Sequence, residues 1–282
     1  MEEVHMLKQI RKLILCAALA AAMGCVAPEN SRSDQLSVKF FNAGKADAIL
    51  LYTDKSAVLI DTGLDGFAPY ILSTLNSLNI RTLDTLILTH FDKDHIGSAD
   101  EILESVKVKR VLLSDFPKNS NEYSDLISAL KAAGIQSEVV FGDRQIRFVL
   151  DGVQYTVDGP DAKDYDSDDS NNSSLIVTVQ YGKTSFLLMG DAQNDRIKEF
   201  LAENSSTYDV LKLPYHGNYQ KQLKNLIPSV QPEYAVITCS AFEGGEDKTL
   251  ELLDKYDAQV FLTYQGNVNI VSDGKNIEAY YD

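Results

Sequence analysis

A mixed α/β domain is what this sequence predicts from three observations. Short apolar runs of strand length recur from residue 37 to residue 271. Amphipathic stretches of helix length separate several of them, and sheets covered by helices bury both of their surfaces. The 282 residues, 44% hydrophobic with only 7 prolines, contain no internal repeat and no Pro/Ser linker, so one large domain accounts for them.

The elements follow in order. Apolar runs at 37–41, 48–52 and 57–60 read as strands, the third being Ala57-Val58-Leu59-Ile60. Residues 66–78 read as a helix, with Ile71, Leu72, Leu75 and Leu78 at helical spacing. A strand at 84–88, a helix at 98–106, a strand at 109–113 and a helix at 121–133 come next. Strands at 146–150 and 153–157 follow, and in the latter Val153, Tyr155 and Val157 alternate with polar residues as a half-buried strand requires. The remaining strands fall at 175–181, 185–189, 209–213, 234–238, 259–264 and 267–271, with helices at 192–203 and 247–256.

Chemistry concentrates where one strand ends. Directly after Thr85-Leu86-Ile87-Leu88 the chain reads His90-Phe91-Asp92-Lys93-Asp94-His95, four potential metal ligands in six residues and two of the chain's four histidines. Imidazole nitrogens bind borderline metals, carboxylates add the charge that lets two cations sit close together, and a short loop at a strand exit lets these groups converge. A solvated acidic turn with two surface histidines is the plain alternative. Three more strand ends supply matching groups. Leu187-Leu188-Met189-Gly190-Asp191 ends in a carboxylate able to bridge two cations, and Val210 through Gly217 carries His216. Val58-Leu59-Ile60-Asp61 offers Asp61 to hold the ligand loop from behind. Singly, Gly-Asp and His-Gly are ordinary turn chemistry.

These motifs resemble the metallo-β-lactamase superfamily, whose ligand loop usually reads H-x-H-x-D-H and whose later strands end in a bridging Asp and a final His. The nearest likeness is to its competence-protein branch, the hydrolase domain of the ComEC/Rec2 DNA-uptake channel. Phe40 through Ala48 is similar to that branch's opening strand and G-x-G-D-A turn, and Asn171 through Val177 to its N-x-x-S-L-V-L strand. Gly190-Asp191 is similar to its G-D, and Lys212 through Gly217 to its L-K-x-x-H-H-G. The resemblance runs from about residue 36 to the end and implies a four-layer αββα sandwich. It departs from the pattern at Asp92, which replaces the usual second His, and at Ala46 and Tyr215. A three-histidine zinc site of lactamase type is therefore not expected. The implied ligands are His90, Asp92 and Asp191 around one divalent ion and Asp94, His95, Asp191 and His216 around the other, with Asn171 or Asn172 for the remaining vacancy. Such oxygen-rich coordination favours Mn relative to Zn.

Two ions roughly 3.5 to 4 Å apart lower the pKa of a bridging water and stabilise charge developing on a carbonyl or a phosphorus. Asp94 is expected to orient the nucleophile as well as bind metal. Lys212 is expected either to clamp a phosphate or to reach solvent, and Tyr215 to donate to the same oxyanion.

Residues 1–24 are expected to be a signal peptide: Lys8, Arg11 and Lys12 precede the apolar run Leu13 to Gly24, which is too short to span a membrane stably. Gly24-Cys25 resembles a lipoprotein cleavage site, so Cys25 is expected to carry lipid, residues 25–35 to act as a tether, and residues 36–282 to form the hydrolase domain. Simple secretion is the alternative. Cys16 leaves with the signal, no intramolecular disulfide is expected, and Cys239 reads as a small buried residue. The net charge of -15 makes tight nonspecific duplex binding an unexpected property. Asp161, Asp164, Asp166, Asp168 and Asp169 read as a solvated acidic loop rather than a Ca²⁺ site. The expected function is an exported phosphodiesterase or nuclease acting on a small phosphoester or nucleic acid. A hydrolase of esters, lactones or amides, and a noncatalytic surface binding protein, are the alternatives.

Overall fold

The protein is described by a computed structural model covering residues 35–142, 144–161, 165 and 170–282. The expected signal segment, Cys25, and Asp164, Asp166, Asp168 and Asp169 lie outside the described residues. Among the described residues no helix is long and apolar enough to cross a membrane.

The strands, in chain order, are β1 (Leu36–Phe40), β2 (Ile49–Tyr52), β3 (Ala57–Ile60), β4 (Thr82–Leu83), β5 (Thr85–Leu88), β6 (Lys107–Val108), β7 (Val111–Ser114), β8 (Glu138–Val140) and β9 (Ile146–Leu150). They continue as β10 (Val153–Asp158), β11 (Ile176–Tyr181), β12 (Thr184–Leu188), β13 (Val210–Lys212), β14 (Tyr234–Ile237), β15 (Gln259–Leu262), β16 (Val268–Ser272) and β17 (Ile277–Tyr281). The helices are α1 (Ala68–Ser77), α2 (Lys93–Ile96), α3 (Ala99–Ser105), α4 (Asn121–Ala132), α5 (Asn194–Glu203), α6 (Leu223–Val230) and α7 (Asp247–Lys255). One sheet runs β17-β16-β1-β2-β3-β5-β7-β8, the other β15-β14-β13-β12-β11-β10-β9, and β4 pairs with β6 alone.

Period-two alternation sorts the apolar side chains into layers. Val58 and Ile60 of β3, with Ile87 of β5, face β10 to β13 residues such as Tyr155, Val177 and Phe186 in the core between the sheets. Their neighbours Leu59, Leu86 and Leu88 face the other way, against Ile71 of α1, Ile102 of α3 and Leu126 of α4. The second sheet repeats this: Leu187 and Leu211 turn outward against Ile197 of α5, Leu226 of α6 and Leu253 of α7. The result is the four-layer αββα sandwich.

Elements absent from the sequence reading have physical reasons. Pro228 interrupts the helical pattern of α6, yet Leu223, Leu226, Ile227 and Val230 are buried. Strand β17 is an edge strand with little buried alternation, and β8 has only three residues.

The site lies where parallel strands of the two sheets end together. Strand β3 runs parallel to β5, and β12 to β13 and β13 to β14. Asp61 follows β3, His90 follows β5, Asp191 follows β12 and His216 follows β13. Two glycines permit the approach. A Cβ on Gly97 would lie 2.2 Å from Asp65 N, so only glycine lets the ligand loop pass that backbone. Gly190, at φ +51°, leaves room for the Thr89 and Ser174 side chains, each 3.1 Å from where its Cβ would stand, and delivers Asp191.

Candidate metal centre

Each ligand is held from behind. Asp61, in left-handed backbone at φ 56°, accepts hydrogen bonds from Thr89 N at 2.8 Å, Thr89 Oγ1 at 2.7 Å and His95 Nδ1 at 2.8 Å. With Nδ1 so engaged, neutral His95 presents Nε2 and its lone pair to the cluster. Tyr215, His216 and Gly217 are all left-handed, at φ 51°, 53° and 71°, a turn that is costly for the two non-glycine residues. It swings the His216 ring inward, where Nδ1 donates to Thr238 O at 2.9 Å and again leaves Nε2 free. Asp191 receives support from Ser174, whose Oγ accepts from Asp191 N at 3.1 Å.

Four of these groups meet. Asp94, His95, Asp191 and His216 each offer a ligand atom, and these atoms lie within 4.8 Å of one another. His216 Nε2 is 3.1 Å from Asp191 Oδ2 and 3.5 Å from Asp94 Oδ2, and His95 Nε2 is 3.4 Å from Asp191 Oδ1. Asp94 is the partly open member, its side chain 23% exposed, whereas His95 and His216 are fully buried.

The expected second set is looser. His90 is fully buried with Nε2 4.0 Å from Asp92 Oδ1, but Asp92 accepts from Lys118 Nζ at 2.5 Å and from Ser170 Oγ. Asn172 does not turn to the site: its Oδ1 accepts from Gln193 N at 3.1 Å and Arg196 N at 3.2 Å, at the start of α5.

Lys212 points inward and is fully buried, contrary to the option of a side chain reaching solvent. Its ammonium is ion-paired with Asp47, donates to Gly190 O at 2.9 Å, and lies 3.7 Å from Asp191 Oδ1. A group so committed braces Asp47 and the Gly190–Asp191 turn. Tyr215 lies beneath Lys45, whose Nζ is 5.6 Å from the ring centroid. Cys239 is buried, in keeping with a small core residue.

Asp47 is the residue the sequence reading passed over, present there only as part of a turn motif. Besides Lys212, its carboxylate accepts from Thr238 Oγ1 at 2.5 Å and stands 3.6 Å from His216 Nδ1, while its backbone N donates to Asp94 O at 3.0 Å. Its position before β2, where an apolar run begins, was the available signal. Ser174 was present in the sequence reading only as part of the N-x-x-S-L-V-L likeness, and Lys118, Thr89 and Thr238 carried no pattern that marks them.

The chemistry of the donors fits divalent ions. Among the described residues, the buried side-chain polar atoms without a hydrogen-bond partner include Nε2 of His90, His95 and His216 and Oδ1 of Asp191. Such atoms are rare in proteins unless something binds them. Burial by itself would strip protons from the imidazoles, but carboxylates oppose it: Asp191 and Asp61 hold His95 well above the ordinary histidine value, and Asp191 and Asp94 raise His216 to about 9. His90, where burial leads and the neighbouring His95 adds to it, falls to about 4. Asp191 stays well below the usual carboxylate range despite its burial, because His216 and His95 adjoin it. The site thus attracts positive charge, as protons or as metal.

Two outcomes follow. His216 has a folded value of about 9 against an ordinary 6.5, so the metal-free protein gains stability from this imidazolium below pH 6.5 and loses it as pH rises toward 9. A divalent ion displaces that proton, so apparent affinity is expected to climb across the same window by up to about tenfold per pH unit for each proton displaced. Calorimetric titration in buffers of different ionisation enthalpy counts the protons, and a flat affinity without proton release would remove His216 from the ligand set. Lys212→Met leaves Asp47 buried without its ammonium and is expected to lower stability by about 3 kcal/mol in urea denaturation of metal-free protein; a loss below about 1 kcal/mol would contradict the supporting role.

Comparison with known proteins shows the family and the fold. Residues 42–240 match the family model of the Metallo-beta-lactamase superfamily. The chain is 28% identical over 257 residues to ComE operon protein 3 of Bacillus subtilis, covering 83% of this chain and 32% of that protein. It is 26% identical over 215 residues to Competence protein ComA of Neisseria gonorrhoeae, covering 74% of this chain and 28% of that protein. The chain therefore spans about a third of the length of these curated relatives. Among solved structures, the metallo-beta-lactamase fold protein YhfI of Bacillus subtilis shares the architecture at a TM-score of 0.56 and 11% identity, over 88% of this chain and 100% of that one. The matched segment reaches from before Asp47 to beyond Thr238 and so contains every candidate ligand described above, and the chain belongs to the metallo-beta-lactamase superfamily.

Proposed function

We propose that this chain is an exported, metal-dependent phosphodiesterase of nuclease type, acting on a small phosphoester or on nucleic acid. The observation that carries the reading is the cluster of Asp94, His95, Asp191 and His216, half imidazole and half carboxylate, with its open side at Asp94. The likeness to competence proteins supports a nucleic-acid substrate. So does the placement of cations: in a chain of net charge -15, Lys93 is exposed beside Asp92 and Asp94, Lys118 stands against Asp92, and Lys45 lies above Tyr215. These lysines offset local repulsion of a phosphate without forming the broad basic face that duplex binding needs.

Divalent ions held by His90, Asp92, Asp94, His95, Asp191 and His216 would supply Lewis acidity and a more acidic water, with Mn or Zn as the ions the donor set suits. The chain's own part is positional. Asp94 Oδ2, 3.5 Å from His216 Nε2 and partly open, orients the attacking water and accepts its proton. Asp61 and Thr238 fix the two imidazoles, and Lys212 with Asp47 braces them from beneath. Tyr215, next to His216, is placed to approach an oxyanion from the Lys45 side.

With Mn²⁺, the full chain is expected to hydrolyse bis(4-nitrophenyl) phosphate and short single-stranded oligonucleotides, and Asp94→Asn to reduce turnover by about 10²- to 10⁴-fold. Robust ester or lactone hydrolysis without phosphodiester turnover would transfer the site to carbonyl chemistry, and metal binding without any turnover would make the chain a binding protein. Export rests on Lys8, Arg11, Lys12 and the apolar run ending at Gly24-Cys25. Cys25→Ser is expected to abolish membrane association in a bacterial host while the domain stays folded; a wild-type chain found soluble with residues 1–24 attached would refute the lipid anchor.

A further inference from the structure

The two expected metal positions are built differently. Asp94, His95, Asp191 and His216 face one another with their supports already made. At the other position His90 Nε2 is buried and without a hydrogen-bond partner, yet the carboxylate nearest it is taken. Asp92 Oδ1 accepts from Lys118 Nζ at 2.5 Å and from Ser170 Oγ, and Lys118 also lies 3.5 Å from Ser170 Oγ. Lys118 follows β7 on the loop before α4, and its side chain is 39% exposed, so it can swing away without opening the core. A divalent ion held between His90 Nε2 and Asp92 Oδ1, which are 4.0 Å apart, would meet the Lys118 ammonium 2.5 Å from that same oxygen, and like charges a few ångströms apart repel strongly in a partly desolvated site.

We propose that Lys118 is a built-in competitor for Asp92, so that the ion between Asp94, His95, Asp191 and His216 binds first and the ion at His90 and Asp92 binds only by displacing the Lys118 ammonium. Occupancy of the second position then depends on metal concentration, and Lys118 sets the threshold. Asp92 serves as a switchable ligand because it sits at the edge of the cluster, 25% exposed, whereas Asp191 is 3% exposed and locked between His95 and His216. The inference rests on the metal-binding reading of the site and on no substrate, so its failure leaves the phosphodiester question separate.

The experiment is calorimetric titration of metal-depleted full chain with MnCl₂, without substrate. The parent is expected to show a tight step and a weaker step. Lys118→Met, which keeps the aliphatic stem and removes the charge, is expected to tighten the weaker step by about tenfold and leave the tight step within about twofold. Lys118→Arg keeps the cation and is expected to match the parent, and Asp92→Asn is expected to lose the weaker step alone. Circular dichroism checks that each variant is folded, and the exposure of Lys118 makes its replacement tolerable. An unchanged weaker step in Lys118→Met, a single step shared by all four proteins, or equal tightening of both steps would overturn the proposal.

Discussion

A cluster of four carboxylates with one buried ammonium, set against Asp47 and Asp191, is the constraint on which the rest of this structure depends. Asp47, Asp61 and Asp191 are fully or almost fully buried and Asp94 is mostly so, and Lys212 is the one buried lysine ammonium among them. With neutral imidazoles the cluster carries a large negative excess in a region where desolvating even one unpaired charge costs several kcal/mol. The protein answers with supports behind three of the carboxylates: Thr89 and His95 donate to Asp61, Thr238 and Lys212 donate to Asp47, and Ser174 Oγ accepts from the backbone N of Asp191. Among the described residues, the buried atoms left without a hydrogen-bond partner include the inward Nε2 of three histidines and one oxygen of Asp191. Protons on His95 and His216 neutralise part of the excess in the metal-free protein, and divalent ions are the natural replacement.

The sandwich makes this concentration possible because it joins two sheets at the ends of their parallel strands. His90, Asp191 and His216 each follow a strand of these sheets within a few residues, and Asp94 and His95 sit in the short helix α2 soon after β5, so their side chains converge where the strands end. Ligand turns in strained backbone, at Asp61, Tyr215 and His216, are held by the packed layers on both sides. The Asp47–Lys212 pair spans the sheets, joining the segment before β2 to the end of β13, and so ties site geometry to the core between them.

Much of this was legible in the sequence. Apolar runs located the strands that build the core, and the H-x-D-x-D-H loop, Asp191 and His216 stood out because ligand-type residues ended strands. Periodicity said only mixed α/β; the four-layer order came from likeness to a known family. Two things were illegible. Lys212 read as a cation facing phosphate or solvent, because no linear pattern reveals that Asp47, 165 positions earlier in the chain, waits beneath it. Asp92 read as a plain ligand, because its competitor Lys118 belongs to a loop with no motif. Long-range ion pairs in a closed site leave no period and no fixed spacing, which is why the supports of a site are harder to read than its ligands.

The most direct measurement is a crystal structure of the protein grown with Mn²⁺, with anomalous differences collected to place the ions. The account predicts a strong peak about 2.0 to 2.3 Å from Nε2 of His95 and His216 and from oxygens of Asp94 and Asp191, with the Asp47–Lys212 pair undisturbed beneath it. No peak at that position, with Nε2 of His95 and His216 still lying directly against the oxygens of Asp191 and Asp94, would show that protons alone satisfy the buried carboxylates and that the cluster is not a metal centre.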